Sequence, residues 1–161
     1  MPRLLPFIGI AAVGLLAAAA LAQRAAPTVT LSLPATAAPK ATVKAKVKVV
    51  IPAGWHAYQN PPSKDYQIPL TIEAADKTLK GLKVAYPKGE EHDVAGELSA
   101  VYNGTLEIPI TFTANAKAGK QTVKLKVGWQ MCDAGSCLPP SSADVTATIT
   151  IAKPKPSKAK P

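Results

Sequence analysis

The sequence predicts an all-β domain, an immunoglobulin-like β-sandwich with a cysteine pair on a hairpin turn. Three observations carry that prediction. Apolar and polar residues alternate with period two in several stretches, as strands with one buried face require. β-branched residues are frequent and helix signals are poor. Turn-forming residues separate the stretches into about seven or eight short strands, the pattern of a sandwich. The 161 residues suffice for one domain of ordinary size with tails.

Met1 to Ala22 reads as a signal peptide, with Arg3 as the positive end, an apolar run from Leu4 to Ala19, and Ala20-Leu21-Ala22 as a small-x-small cleavage site before Gln23. The alternative is an uncleaved anchor, because the apolar run nearly reaches spanning length. No cysteine stands at the junction, which excludes a lipoprotein. Either reading exports the remainder to a compartment where disulfides persist. Residues 23–39 form a linker with a candidate first strand, Thr28 to Leu33. The folded domain is expected over residues 40–152. Ala41 to Ile51 is the clearest strand, with Val43, Ala45, Val47 and Val49 on one face and Lys44, Lys46 and Lys48 on the other.

Pro52 to Lys64 breaks the alternation and concentrates aromatic residues in Trp55-His56-Ala57-Tyr58; it is expected to be a loop. Ile68 to Glu73 and Leu82 to Tyr86 are shorter strand candidates. Pro87 to Gly96 is polar and acidic, hence also expected as a loop. Leu106 to Phe112, Gln121 to Trp129 and Ala143 to Ile151 alternate again. Residues 153–161 alternate lysine and proline and form a tail that cannot bury a core. The formal net charge of +9 invites a nucleic-acid reading. The lysines are spread along strands and tail, however, without an aromatic platform or a nucleic-acid motif, so a solvated basic face is the simpler account. No nucleic acid and no small-molecule ligand is expected.

The chemistry concentrates in Val127 to Pro140, VGWQMCDAGSCLPP, which holds the two cysteines, Cys132 and Cys137. Asp133-Ala134-Gly135-Ser136 between them is a run of turn formers. Pro139 and Pro140 stiffen the exit and cannot donate to a ladder. A bridge here closes a loop of about six residues, and the chain-entropy model gives it only about 2 kcal/mol. A redox role therefore competes with a structural one, and a turn is expected to present both sulfurs at the surface. A zinc site would need His56 and His92 as further ligands, but they stand far upstream without ligand-pair spacing. A thioredoxin-like centre requires Cys-x-x-Cys in a βαβ setting, which this chain does not have. No metal or other cofactor is expected. A hairpin disulfide, static or exchanging, is the third reading. Asp133 beside Cys132 disfavours a second negative charge, and no lysine or arginine lies in the turn to activate either thiol.

The segments IPAGWHAYQNPP, YPKGEEHDVAGELSAVYNGTLEIPITF and VGWQMCDAGSCLPP resemble the N-terminal periplasmic domain of DsbD, the bacterial thiol:disulfide interchange protein. The resemblance covers about Thr42 to Ile151. It implies an immunoglobulin-like domain whose cysteine pair passes electrons to periplasmic disulfide isomerases and cytochrome c maturation thioredoxins. It makes Cys132 and Cys137 the catalytic pair, with Cys137 the attacking thiol, and the loop from Glu91 to Ala95 a cap over the disulfide. Asp93 and Val94 are thus candidates for capping or proton management, and Trp55, His56, Tyr58 and Gln130 for support. For Trp55 and Tyr58 the simpler reading is a cap on the sandwich core, for His56 a packed structural histidine, and for Asp93 a solvated loop acid. Two departures stand out. Well-known members carry one more residue between the cysteines, and an aromatic side chain in the cap where this chain has Val94 and Ala95. The chain also stops after one domain, so the expected partners are separate thioredoxin-fold proteins and a membrane electron carrier acting in trans.

Overall fold

The computed structural model describes residues 26–94 and 96–153. The expected signal peptide and most of the lysine–proline tail lie outside them. The described chain is built from strands: β1 (Thr28–Ser32), β2 (Thr36–Ala37), β3 (Thr42–Val50), β4 (His56–Tyr58), β5 (Thr71–Ala74), β6 (Lys80–Val84), β7 (Glu90–Val94), β8 (Glu97–Tyr102), β9 (Thr105–Thr113), β10 (Gly119–Trp129), β11 (Met131–Cys132) and β12 (Ser141–Ile151).

Two four-stranded sheets, β1-β3-β9-β6 and β2-β12-β10-β5, supply the core. β3 shows why. Its alternate residues Val43, Ala45, Val47 and Val49 are buried, and the intervening lysines are exposed. Across the β3–β9 ladder they meet Phe112, Ile110 and Ile108, which are also buried. The other sheet contributes Val123, Leu125, Val127 and Trp129 of β10, Ile149 and Ile151 of β12, and Ile72 of β5 to the same core. Each such side chain contributes about 1.5–3 kcal/mol on burial. The architecture is the expected all-β, immunoglobulin-like sandwich. One lysine of the outer face, Lys46, is paired with Glu107 at 2.8 Å; both are exposed, so the pair adds little.

A third sheet, β11-β4-β8-β7, departs from the sequence reading. Pro52 to Lys64 is not entirely loop, because His56–Tyr58 pairs with β8 and with β11. Pro87 to Gly96 is not a loop either. Glu90–Val94 pairs residue for residue with Glu97–Val101 in an antiparallel hairpin. Its side chains are exposed except Val94, so no apolar alternation betrayed it. β8 went unnoticed for the opposite reason: Ser99, Ala100, Val101 and Tyr102 are all buried, on both faces.

Side-chain hydrogen bonds join the segments that flank the strands of the third sheet to one another. The Tyr102 hydroxyl donates to the Pro87 carbonyl at 2.8 Å and accepts from the Asn60 amide at 3.2 Å. Gln59 Oε1 accepts from the Gly89 amide at 2.9 Å. A Cβ at Gly89 would stand 2.7 Å from the Val101 carbonyl oxygen, so only glycine lets this backbone approach β8 so closely.

Candidate functional site

The long β10–β12 ladder runs in one register from Gly119↔Ile151 to Trp129↔Ser141. Beyond it the hairpin continues in a shifted register, with the Leu138 amide donating to the Met131 carbonyl at 2.8 Å and Cys132 facing Cys137. One residue, Gln130, therefore opposes two, Pro139 and Pro140. This is a β-bulge, a place where prolines that cannot donate are tolerated. Gln130 Nε2 donates to the Leu138 carbonyl at 3.1 Å and ties the two limbs together.

At the tip, the Asp133 amide donates to the Ser136 carbonyl at 2.9 Å. Asp133 Oδ1 accepts from the Gly135 and Ser136 amides at 2.9 and 2.8 Å and from the Ser136 hydroxyl at 3.3 Å. The amide bonds of Gly135 and Ser136 hold this carboxyl below the usual aspartate range. Its charge organises the turn. Cys132 and Cys137 are joined in a disulfide, with their Cα atoms 4.0 Å apart.

The two sulfurs are not equally presented. Cys137 is exposed, as expected. Cys132 is 0% exposed, which corrects the expectation of two surface sulfurs. The reason lies in β11. Strand alternation sends Met131 into the sandwich core and Cys132 to the opposite face. There Tyr58, Val94 and Val101 of the third sheet gather around Cys132 in a small apolar cluster of their own.

The candidate supporting residues fall into three groups. Tyr58 is buried in this second cluster, and its hydroxyl donates to Cys137 Sγ at 3.9 Å. Burial, and then Glu97, push its phenol above the ordinary value, so it stays a donor at neutral pH. His56 faces Cys132 directly across the β4–β11 ladder. Its ring meets that of Tyr58 edge-on, centroids 6.5 Å apart. Trp55, by contrast, packs against the main core.

Val94 is buried in the sulfur cluster, so a valine on a strand stands where a loop cap was expected; Ala95 lies outside the described residues. Asp93 is exposed, and its Oδ1 accepts from the Gly96 amide at 2.7 Å, which closes the β7–β8 turn. His56, His92 and Asp93 line one cleft with Gly54, Trp55, Asn103 and the tip residue Ala134. The two histidines thus come together, on strands rather than in separate loops. Among the described residues, no group of three or more His, Cys, Asp and Glu is placed to hold a metal ion. Sequence reasoning missed Val101. Its only signal was a short apolar run with no period.

An immunoglobulin-like sandwich that carries a disulfide at a hairpin tip, one sulfur open and one sheltered, defines a class of cysteine-pair β domains. The chain belongs to the DsbD N-terminal family. The family model described as "Thiol:disulfide interchange protein DsbD, N-terminal" matches residues 25–149. Among solved structures, the chain is similar to the N-terminal periplasmic domain of ScsB from Proteus mirabilis, with 16% identity and a TM-score of 0.58 over 82% of this chain. It spans 49% of the length of that ScsB chain. It is also similar to the DsbD N-terminal domain of Neisseria meningitidis in the reduced form, with 21% identity and a TM-score of 0.46, covering 81% of this chain and 93% of that one. A third similar structure is the complex between the DsbD and PilB N-terminal domains from Neisseria meningitidis, with 22% identity and a TM-score of 0.44, covering 79% of this chain and 86% of that one. Comparison with curated proteins finds no match.

Proposed function

We propose that the protein is an exported, periplasmic thiol–disulfide interchange domain that shuttles electrons through Cys132 and Cys137. Its reaction is that of a protein-disulfide reductase, and its partners are thioredoxin-fold proteins, with a membrane electron carrier acting in trans. Membership of the DsbD N-terminal family supports this. The observation that carries it is the asymmetry of the pair, Cys137 exposed and Cys132 fully buried in one bond.

Exchange proceeds by in-line attack of a thiolate on one sulfur while the other leaves. A partner thiolate reaches Cys137 Sγ at the tip and forms a mixed disulfide there. Cys132 is the leaving sulfur, sheltered from any second attack. The reverse reaction begins at the same exposed atom. Tyr58, donating to Cys137 Sγ, orients the sulfur that is attacked. The bulge and the Asp133 turn hold the tip in the open position.

The competing reading is a structural clip in a non-enzymatic interaction module. Single-cysteine trapping separates the two. Cys132→Ser leaves the exposed thiol and is expected to capture thioredoxin-fold partners as mixed disulfides; Cys137→Ser leaves the buried thiol and captures few. A reduction potential above about −300 mV accompanies exchange, whereas a lower value marks a static bond. Failure of Cys132→Ser to trap any partner, together with such a low potential, establishes the clip.

A further inference from the structure

The mechanism above leaves one buried polar atom without use. Nε2 of His56 is buried and has no hydrogen-bond partner. Such an atom has lost its water without gaining a replacement, and most native proteins avoid this. His56 is also the residue directly opposite Cys132 in the β4–β11 ladder. Directly opposed residues project to the same face, with Cβ atoms about 4.5–5.5 Å apart. The opposed sulfur is itself fully buried, and in the disulfide it carries neither charge nor proton.

We infer that His56 is the positioning residue for the leaving sulfur: when the disulfide opens, Nε2–H of His56 donates a hydrogen bond to Cys132 Sγ. This deepens the exchange reading of the site and rests on it. In the first step a partner thiolate forms a bond to Cys137 Sγ, and the Cys132–Cys137 bond breaks. Its electron pair departs on Cys132 Sγ, which becomes a thiolate and then takes a proton from solvent. In the second step the partner's other thiolate attacks the partner sulfur of the mixed disulfide and releases Cys137, which is also protonated. The partner dithiol is oxidised to a disulfide and this pair is reduced to two thiols. A thiolate in an apolar cluster is costly unless a donor meets it. The unpaired nitrogen is such a donor, waiting on the same face.

The charged and titratable groups around His56 fit this role. They are Asp133 from the hairpin tip, His92 and Asp93 from β7, Cys132 across the ladder and Tyr58 on its own strand. Burial, then His92, hold the imidazole below its ordinary value, and Asp133 opposes them. At neutral pH the ring is therefore neutral and carries one N–H, which the inference assigns to Nε2.

The test uses the full chain. In a Cys137→Ser background Cys132 is the sole thiol, and its ionisation is followed by thiolate absorbance. His56→Phe is expected to raise the Cys132 pKa by about one unit, a tenfold fall in thiolate population at a given pH, and His56→Gln, which keeps an N–H donor, to recover part of it. Identical titrations in all three overturn the inference. Because a variant can fail to fold, nitrogen NMR of the unaltered His56 ring in both redox states is a second readout. A protonated Nε2 that becomes hydrogen-bonded only on reduction is expected; a ring indifferent to reduction overturns the inference. Neither readout needs a protein partner. If trapping fails while the titration effect persists, the exchange reading falls alone, and the opposite pattern removes only the role of His56.

Discussion

At the scale of single residues, the site is a division of labour between two sulfurs and the few polar groups that touch them. Tyr58 is the clearest case. Its ring fills the cluster around Cys132, while its hydroxyl reaches Cys137. Tyr58→Phe keeps the ring and deletes the donor. Stability should change by no more than about 1 kcal/mol, the net worth of one hydrogen bond. Reduction of the disulfide by a small dithiol, followed by stopped-flow, should slow several-fold because the attacked sulfur loses its orienting partner. Asp133 acts on the turn instead of the sulfurs. Its carboxylate is used by two backbone amides and is held below the ordinary value of 3.8. A depressed folded-state value means that the charged form stabilises the native turn. The contribution is fully present above the ordinary value and is lost as pH falls through the lower folded value. Asp133→Ala should therefore lower the melting temperature at pH 7, and the gap from the parent should close in the acid range below pH 3.8. A gap that persists unchanged into that range would show that the carboxylate charge is not what holds the tip.

At the scale of elements, the two sandwich sheets were legible and the third sheet was not, for a physical reason. β3, β9 and β10 each bury one face and wet the other, so their sequences alternate. β7 wets nearly everything and β8 buries nearly everything after its first two residues, so neither carries a period. β4 is three residues long, too short to show one. The cysteine turn itself was plain from its turn formers and its prolines. The shelter of Cys132 was hidden because the residues that provide it sit on the strands without pattern. Val94 is the test of that shelter. It is 6% exposed and packs with Tyr58, Val101 and Cys132. Val94→Ala should cost about 1–2 kcal/mol through the void it leaves. It should also speed alkylation of Cys132 in the reduced Cys137→Ser protein, measured with a neutral alkylating reagent. An unchanged alkylation rate would mean that β7 does not cover the sulfur in solution. Where the resemblance leads one to expect an aromatic cap on a loop, a β-branched side chain fixed in a hairpin packs with Cys132.

At the scale of the whole molecule, two bodies of unequal strength meet at β11. The sandwich is locked by the β10–β12 ladder, in which every residue from Gly119 to Trp129 has a partner, and by one continuous apolar core. The site end is joined through short pairings. Met131 and Cys132 pair with Ala57 and His56, and Ala57 and Tyr58 with Tyr102 and Val101. Ladders of that length open with low local free energy, whereas core strands open only near the global limit. The disulfide closes the tip from which β11 emerges, so the oxidised state restrains the weaker end. Reduction should therefore raise amide hydrogen exchange at residues 56–58, 131–132 and 138 while the amides of β10 and β12 keep their protection. A core substitution gives the converse. Phe112 is fully buried, and Phe112→Ala should cost about 3–5 kcal/mol and lower protection throughout the sandwich. It should leave the rate at which a small dithiol reduces the folded protein close to that of the parent, because Phe112 belongs to the large core and Cys132 to the small one. If reduction instead loosened β10 and β12 together with the tip, the molecule would be a single cooperative unit. The disulfide would then brace the whole sandwich, which is the work of a clip and not of a carrier.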